Sequence, residues 1–450
     1  MTQYTPGVLV KNVKPAPRSS LRLLLLALLL LALLLLLLTP VVLLVETSLF
    51  TSRADMSDEK SLDLATSLSA FTLDMYKVLS EKAPEKNLFF SPLSVMTALS
   101  MTLMGAKQAS RDQLAVALKL HPHSNDAVKT AFAAALDAFN KMPEGVQKLY
   151  ELHVANNMYV SHKLDLQQEF SDALTQHFQA AAKVVDFGGQ TEAVRQEINQ
   201  AVEEATKNKI KNLIPEGILD ALTRLVLVNA VYFKGLWTKP FDKARTQDLP
   251  FYTDETNSVN VPMMKAKEEY RYMIRKDLEA TVLGMDYQGG NLSLVIVLPD
   301  KRTGLAEVER RLQGVDLREL FDSGRKVKVE VTIPRFKLEY SEDLVAPLKS
   351  LGVSNMFGSS ADLSGIGGLP GDLYVSNVLH KAFIDVNEEG SEAAAATAQV
   401  IMARMAMVRT IPPFVADHPF VFLLQDLQSG ITLFAGRYSR PDALPPKQEL

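Results

Sequence analysis

The spacing of apolar residues divides most of the chain into a helix-rich first part and a strand-rich second part. Near the start of this region, Leu64 and Leu68 belong to a stripe of apolar side chains at helical spacing, which predicts an amphipathic helix. In the second part, Leu292–Leu298 and Val327–Ile333 are the clearest predicted strands. Helices followed by strands, without strand–helix alternation, favour one large α+β domain over residues 61–441.

Two predicted strands stand out within this domain. Leu225–Phe233 is a continuous run of apolar and β-branched residues, interrupted by a single asparagine. Leu373–Val386 is a second strand, in which Ala382 and Ile384 share one face and Lys381 points to the other. This second strand continues directly into a segment of unusual composition.

That segment, Asn387–Pro413, is rich in small side chains and has no proline between Gly390 and Ile411. Each residue between those two therefore keeps a backbone N–H that a β-sheet could use. In an extended conformation, one face would carry Ser391, Ala393, Ala395 and Thr397, and Glu392 would point the other way. Taken alone, the segment is equally compatible with an alanine-rich helix or a plain linker.

The N-terminus has the pattern of a targeting segment. Residues 1–22 carry several lysines and arginines, and residues 23–45 are almost entirely apolar. This pattern predicts either a cleaved secretory signal peptide or an uncleaved signal-anchor in the membrane. Residues 46–60 are polar and read as a linker. In both cases the domain is expected on the lumenal or extracellular side.

Composition and charge exclude several kinds of partner. The chain has 450 residues, a formal net charge of -4 and scattered basic residues, which argues against nucleic-acid binding. It has no cysteine, so neither disulfides nor thiol chemistry are available. Asn291 begins an Asn-Leu-Ser glycosylation motif, which makes it a candidate for modification in the secretory pathway. We expect a monomer.

The residue types that carry enzymatic or metal chemistry are not arranged for it. None of the seven histidines has the spacing of metal ligands, and no Gly-x-Ser-x-Gly motif supplies a hydrolase nucleophile. The glycines of residues 365–371 do not form a phosphate loop and contain Pro370. His380 lies among apolar neighbours and is predicted to be a hydrogen-bonded core residue. We therefore expect no cofactor, no metal and no catalytic activity.

Several separated motifs together point to a family. They are Asn87-Leu-Phe-Phe-Ser-Pro-Leu-Ser-Val95, Ile198-Asn199 with Lys209-Ile210, Asn229-Ala-Val-Tyr-Phe-Lys-Gly-Leu-Trp237, Asn387 to Thr397, and Asp417-His-Pro-Phe420. In this order they resemble the serpins, over about residues 62–441. The resemblance implies about nine helices, three β-sheets and a long exposed reactive loop.

The resemblance also implies a function. Serpins of the inhibitory type are suicide substrates: a serine protease attacks the loop and becomes trapped as an acyl-enzyme. The cleaved loop then inserts into the main sheet as a new strand and displaces the protease. On this basis we expect a serine-type endopeptidase inhibitor.

Residues can be carried over from the family pattern one by one. The hinge of the loop matches Glu388, Glu389, Gly390, Ser391, Glu392, Ala393, Ala394, Ala395, Ala396 and Thr397. Counting from Glu388 with the spacing of inhibitory members places the reactive bond at Arg404–Met405. An arginine before the bond resembles inhibitors of trypsin-like proteases, whose specificity pocket holds a carboxylate. Arg409 is a second, less suitable candidate.

Five further residues match structural sites of the family. Ser91, Ser94, Asn229 and His380 match the shutter, a polar cluster beneath the main sheet, and Trp237 matches the breach, where the loop first enters. Ser94 is also predicted to cap the helix that follows it.

A non-inhibitory serpin, acting as a chaperone or carrier in the secretory pathway, is the alternative. The tail at residues 442–450 ends in Lys-Gln-Glu-Leu, which resembles an endoplasmic-reticulum retention signal. The small residues of the hinge argue for the inhibitory type. Location is therefore expected to be extracellular, with membrane anchoring through residues 23–45 or retention in the endoplasmic reticulum as alternatives.

Overall fold

The structure is a computed structural model, and it describes residues 62–140, 150–289, 291–321, 324–389 and 411–441. These residues form eight α-helices: α1 (Leu64–Lys82), α2 (Pro92–Gly105), α3 (Gln108–Ala117), α4 (Asn125–Asn140), α5 (Gln168–Ala173), α6 (Thr191–Ala205), α7 (Leu305–Leu312) and α8 (Val345–Ser350). The strands are β1 (Leu88–Phe90), β2 (Tyr150–Ser161), β3 (Ala181–Val185), β4 (Leu225–Gly235), β5 (Gln247–Tyr252), β6 (Ser258–Arg275), β7 (Ala280–Asp286), β8 (Leu292–Pro299), β9 (Arg325–Pro334), β10 (Phe336–Asp343), β11 (Val375–Val386), β12 (Pro413–Val415), β13 (Phe420–Asp426) and β14 (Thr432–Tyr438). The predicted α+β class is confirmed.

The strands of the described residues form two hydrogen-bonded sheets. One has five strands in the order β10-β11-β4-β2-β3, and the other has the order β1-β14-β13-β8-β7-β6-β9-β12, with β5 paired to β6. The three sheets implied by the resemblance become two because β6 is 18 residues long. Its first part pairs with β5, its middle with β9 and its last part with β7, so two groups of strands are continuous through it.

The centre of the five-stranded sheet is a parallel pair. Strands β4 and β11 run side by side, from the pair Leu225 and Val375 to the pair Phe233 and Ile384. We call this boundary the seam. The other pairs of this sheet that involve β4, β10 or β11 are antiparallel. The chain leaves β11 at Val386, at the end of the seam where β4 also ends.

Both faces of the five-stranded sheet are covered, which explains the apolar character of its central strands. On one face, Ala382 and Ile384 belong to the main hydrophobic core. On the other face, Leu379 and Phe383 pack in a smaller core that includes residues of α6 such as Ile198. The predicted alternation along β11 is therefore correct, and an additional strand at the seam would have to fit between two packed layers.

The N-terminal prediction lies outside the described residues, as do residues 442–450. Within the described ranges, no helix combines the length and apolar character needed to span a membrane.

Candidate functional site

A row of polar side chains crosses the seam at its centre. His380 of β11 lies opposite Asn229 of β4, which in turn lies opposite Asn156 of β2. Their exposed fractions are 0%, 1% and 9%. Polar groups buried to this extent need hydrogen-bond partners, since an unpaired one is strongly unfavourable. The partners come from within the row and from the start of α2.

The hydrogen bonds of His380 fix its protonation state. The backbone N–H of Ser91 donates to Nε2 of His380 at 3.3 Å, so Nε2 is the acceptor nitrogen. The Nδ1–H therefore donates to Oδ1 of Asn229. Burial lowers the pKa of His380 to about 3. The imidazole is thus neutral at physiological pH, which confirms the prediction of a hydrogen-bonded core histidine.

Asn229 connects His380 to the other side of the row. Its side-chain amide donates to Oγ of Ser94 and to Oδ1 of Asn156. The Ser94 hydroxyl also donates to Asn156, at 2.7 Å. Asn156 was not predicted as a site residue. The sequence feature that could have identified Asn156 is a polar residue two positions from Met158, on the same buried face of β2.

Helix α2 begins at this cluster, and its cap is not the predicted one. Ser91 is the N-cap, and its Oγ accepts the backbone N–H of Ser94 at 3.3 Å. Ser94 lies inside the first turn because Pro92, which suits the first helical position, starts the helix earlier. The Ser91 hydroxyl also donates to the carbonyl oxygen of Leu433 at 2.7 Å. We call Ser91, Ser94, Asn156, Asn229 and His380 the mid-seam cluster.

A second group of contacts holds the first hinge residues where the chain leaves β11. Trp237 stacks on Tyr287, with ring centroids 4.2 Å apart. The indole Nε1–H of Trp237 donates to the carbonyl oxygen of Asn387 at 2.8 Å. The backbone N–H of Trp237 donates to the carbonyl oxygen of Glu389 at 3.1 Å. Trp237 therefore fixes the path of the backbone directly before Gly390.

The two hinge glutamates bind side chains from neighbouring segments. Glu388 is 4% exposed, accepts the Thr246 hydroxyl at 2.8 Å and lies 3.6 Å from Nη1 of Arg335. Glu389 pairs with Lys243, and this hydrogen bond raises the pKa of Lys243. None of these partners was predicted as a site residue. We call these interactions of Glu388 and Glu389 the hinge contacts.

The structure thus brings the four predicted shutter residues together and places Trp237 at the end of the seam. The remaining hinge residues, Gly390–Thr397, and the predicted bond Arg404–Met405 lie outside the described residues. Asn291 precedes β8, is exposed, and donates from its amide to Oε1 of Gln428 at 2.7 Å.

These features define a class: an α+β protein whose main sheet has a parallel central pair and continues into a long segment after β11. A family model for serpins (serine protease inhibitors) matches residues 66–441. The leukocyte elastase inhibitor of Sus scrofa is 39% identical over 384 residues, 84% of this chain and 99% of that protein. Serpin B6 of Macaca fascicularis is 40% identical over 382 residues, with the same coverage.

A solved structure agrees with the sequence relatives. Serpin48 of the insect Tenebrio molitor, described as a highly specific serpin, superimposes with a TM-score of 0.76 at 32% identity, covering 86% of this chain and 100% of that one. The chain therefore belongs to the serpin (serine protease inhibitor) family. The fold predicted from the resemblance is confirmed.

Proposed function

We propose that the protein is a monomeric suicide inhibitor of trypsin-like serine proteases, with Arg404–Met405 as the bond that is attacked. Membership of the serpin family supports protease inhibition in general. The name of the relative from Sus scrofa specifies leukocyte elastase for that protein. In this chain the cationic side chain of Arg404 favours a different target, a protease whose specificity pocket holds a carboxylate.

The observation that carries this proposal is the parallel seam. The loop leaves β11 at one end of the seam, so a strand that turns back between β4 and β11 runs antiparallel to both. One parallel ladder is then replaced by two antiparallel ladders, which are slightly more stable per residue. The lack of proline between Gly390 and Ile411 leaves all backbone N–H groups of the new strand available.

The side chains of the loop also suit this position. A strand that starts at Ser391 presents small side chains at alternate positions to the core face, and the carboxylate of Glu392 to the opposite face. Small residues can enter between two packed layers with little displacement of their neighbours. The same strand separates His380 from Asn229, so their hydrogen bond must be exchanged for bonds to the inserted residues.

The covalent step belongs to the protease. Its serine Oγ attacks the carbonyl carbon of Arg404, the bond to the nitrogen of Met405 breaks, and the serine proton passes through the protease histidine to that nitrogen. The product is an ester between the protease and Arg404. Insertion of the loop then moves this ester away from its site of formation, and hydrolysis is prevented because the catalytic groups of the protease are distorted.

We further propose that the protein enters the secretory pathway through residues 23–45, acting as a signal peptide or an anchor. The length and apolar character of this run support the proposal, as does the exposed amide of Asn291. N-terminal sequencing of the protein purified from the expressing cells is the test. A mature start between residues 46 and 61 is expected for a cleaved signal, and an intact N-terminus on membranes for an anchor. A full-length protein in the cytosol would contradict the proposal.

Incubation with trypsin tests the inhibitory function. We expect a covalent complex that survives boiling in SDS and has the summed mass of trypsin and the chain up to Arg404. The variant Arg404→Ala should lose the complex, whereas Arg409→Ala should retain it. Cleavage of the loop without any covalent complex would overturn the proposal and favour a non-inhibitory carrier or chaperone.

A further inference from the structure

A surface cleft of about 690 Å³ lies between α1, α7 and the end of β14. None of its described lining residues belongs to β4 or β11, so the cleft is separate from the seam. Pro84 and Leu305 contribute an apolar wall, and Lys77 and Glu81 of α1 contribute charged groups. We call this the α1–α7 cleft.

The chain leaves the domain at this cleft. Arg440 lines the cleft, and Pro441 is the last described residue before the tail, residues 442–450. Asn87 fixes the position of this exit. Its Oδ1 accepts the backbone N–H groups of Ser439 and Arg440 at 2.8 and 3.0 Å, and its side-chain amide donates to the carbonyl oxygen of Arg440 at 2.6 Å. The fold therefore releases the tail at the rim of the α1–α7 cleft.

Three polar groups of the cleft have no partner among the described residues. Ser439 is 5% exposed, and its buried hydroxyl makes no hydrogen bond there. The ammonium of Lys77 and the carboxylate of Glu81 are exposed and take part in no described ion pair. By contrast, Arg437 and Glu309, which also line the cleft, bind each other at 2.9 Å. Because a buried hydroxyl without a partner is unfavourable, we expect a further polar group at this cleft.

We propose that the α1–α7 cleft is the docking site of the chain's own tail, residues 442–450. The family model ends at Pro441, so the tail lies beyond the part of the chain that this model matches. Docking of the tail is independent of the proposed inhibitory function. A docked tail covers Lys447–Leu450, the sequence that resembles a retention signal, and so controls access of a receptor to it.

The charges of the tail have the same spacing as the unpaired charges of α1. Lys447 and Glu449 are two residues apart, which is about 6 Å in an extended, proline-rich segment. Glu81 and Lys77 are four residues apart, which is also about 6 Å along a helix axis. Two ion pairs can therefore form together, one between Lys447 and Glu81 and the other between Glu449 and Lys77.

The exit sets the direction in which the tail meets these charges. Arg440 pairs with Glu85, three residues past the end of α1, so the tail enters the cleft from the C-terminal end of this helix and meets Glu81 first. Residues 442–447 span up to about 19 Å at about 3.1 Å per residue. This length allows Leu444 to contact the apolar wall before the end of the stretch reaches Glu81.

Zero-length cross-linking of the full-length protein with a carbodiimide tests the proposed docking, because this reagent joins an amine only to a carboxylate in contact with it. We expect an amide bond between Glu81 and Lys447, identified by mass spectrometry of the digested monomer. Glu81→Gln should abolish this cross-link, and the charge exchange Glu81→Lys with Lys447→Glu should restore it. Glu169→Gln, at an exposed position of α5, is the matched control and should leave the yield unchanged.

Two outcomes would overturn the proposed docking. Cross-links from Lys447 to carboxylates over the whole surface, without preference for Glu81, would show that the tail has no fixed site. A cross-link to Glu81 found only in a covalent dimer would show that the cleft binds the tail of a second copy. Neither outcome changes the expected covalent complex with trypsin, so the inhibitory function is tested separately.

A second variant tests the apolar part of the match. Leu444→Ser keeps every charge of the tail and removes the side chain assigned to the apolar wall, so the yield of the cross-link to Glu81 should fall about 5-fold, as expected for partial exposure of a leucine. Gln448→Ser is the matched control, because it changes a polar residue of the same tail. Equal yields in the two variants would overturn the assignment of Leu444 to the apolar wall.

Discussion

The hinge contacts and the mid-seam cluster both lie along the seam, but they are held together by different physical interactions. The hinge contacts are ionic, and their cations are open to water: the side chains of Lys243 and Arg335 are 68% and 50% exposed. The mid-seam cluster is neutral and buried, and His380 and Asn229 have almost no exposed surface.

For the proposed insertion of the loop, this difference predicts which group limits opening of the sheet. The exposed cations at the hinge can exchange their carboxylate partners for water, so release of Glu389 costs little. His380 and Asn229 are almost completely buried, so bulk water does not reach their mutual bond, and its separation leaves both side chains unsatisfied until another strand supplies partners. We therefore expect the hinge to yield first and the mid-seam cluster to open only as the loop arrives.

The largest effect is expected from removing the centre of the buried cluster. Asn229→Ala leaves the Nδ1–H of His380 and the carbonyl of Asn156 without this partner, which should lower the free energy of unfolding by about 3 kcal/mol. Chemical denaturation of the intact protein measures it. Asn260→Ala, at an exposed position of β6, is the control and should change stability by less than about 0.5 kcal/mol. A similar loss of free energy of unfolding in both variants would show that the buried cluster stabilises the fold no more than an exposed asparagine does.

Acid should weaken the buried cluster selectively. The pKa of His380 is about 3 in the folded protein against an ordinary value of 6.5, so between these pH values the unfolded chain binds more protons. The contribution of neutral His380 to the free energy of unfolding is therefore fully present above about pH 6.5 and is lost as the pH decreases towards 3. The expected loss is about 1.4 kcal/mol between pH 7.5 and 5.5. Unfolding measured over this range should show a shallower dependence in His380→Gln. Parallel curves for the two proteins would exclude His380 as the cause.

The smallest effect is expected at the hinge. Glu388→Gln removes the charge that faces Arg335 and keeps an acceptor for Thr246, so the free energy of unfolding should fall by no more than about 1 kcal/mol. Salt screens exposed charges, and the Debye length falls from roughly 14 to 4 Å between about 0.05 and 0.5 M NaCl. The difference in free energy of unfolding between Glu388→Gln and the unmodified protein should therefore shrink over this range. Glu330→Gln, at an exposed pair with Lys267, is the control. If Glu388→Gln lowered the free energy of unfolding as much as Asn229→Ala does, the hinge contacts would be as stabilising as the mid-seam cluster, which contradicts the account.

Much of the architecture could be predicted from local sequence, because the elements have strong apolar patterns. The bounds predicted for β4 and β11 differ from the observed ones by two residues at one end of each strand. The merging of two expected sheets was not predictable, since it depends on how far β6 continues past β9, and hydrogen-bond pairing is not encoded in apolar spacing. The cap of α2 was misassigned because both serines of the motif have capping side chains.

The site was only partly predictable, for a related reason. The shutter residues and Trp237 came from the resemblance, but Asn156 joins the mid-seam cluster only through the register of β2 against β4. Arg335 is 53 positions from Glu388 in sequence, and its role as a partner follows from the fold rather than from a motif. Long-range pairing of this kind becomes visible only when the strands are placed.

The central claim, that the cleaved loop inserts at the seam, is tested most directly by thermal unfolding before and after cleavage at Arg404–Met405. A new strand between β4 and β11 replaces one parallel ladder of the main sheet by two antiparallel ladders, so the cleaved protein should unfold at a far higher temperature than the intact one. Cleaved protein that unfolds at the same temperature as the intact protein, or below it, would contradict the claim.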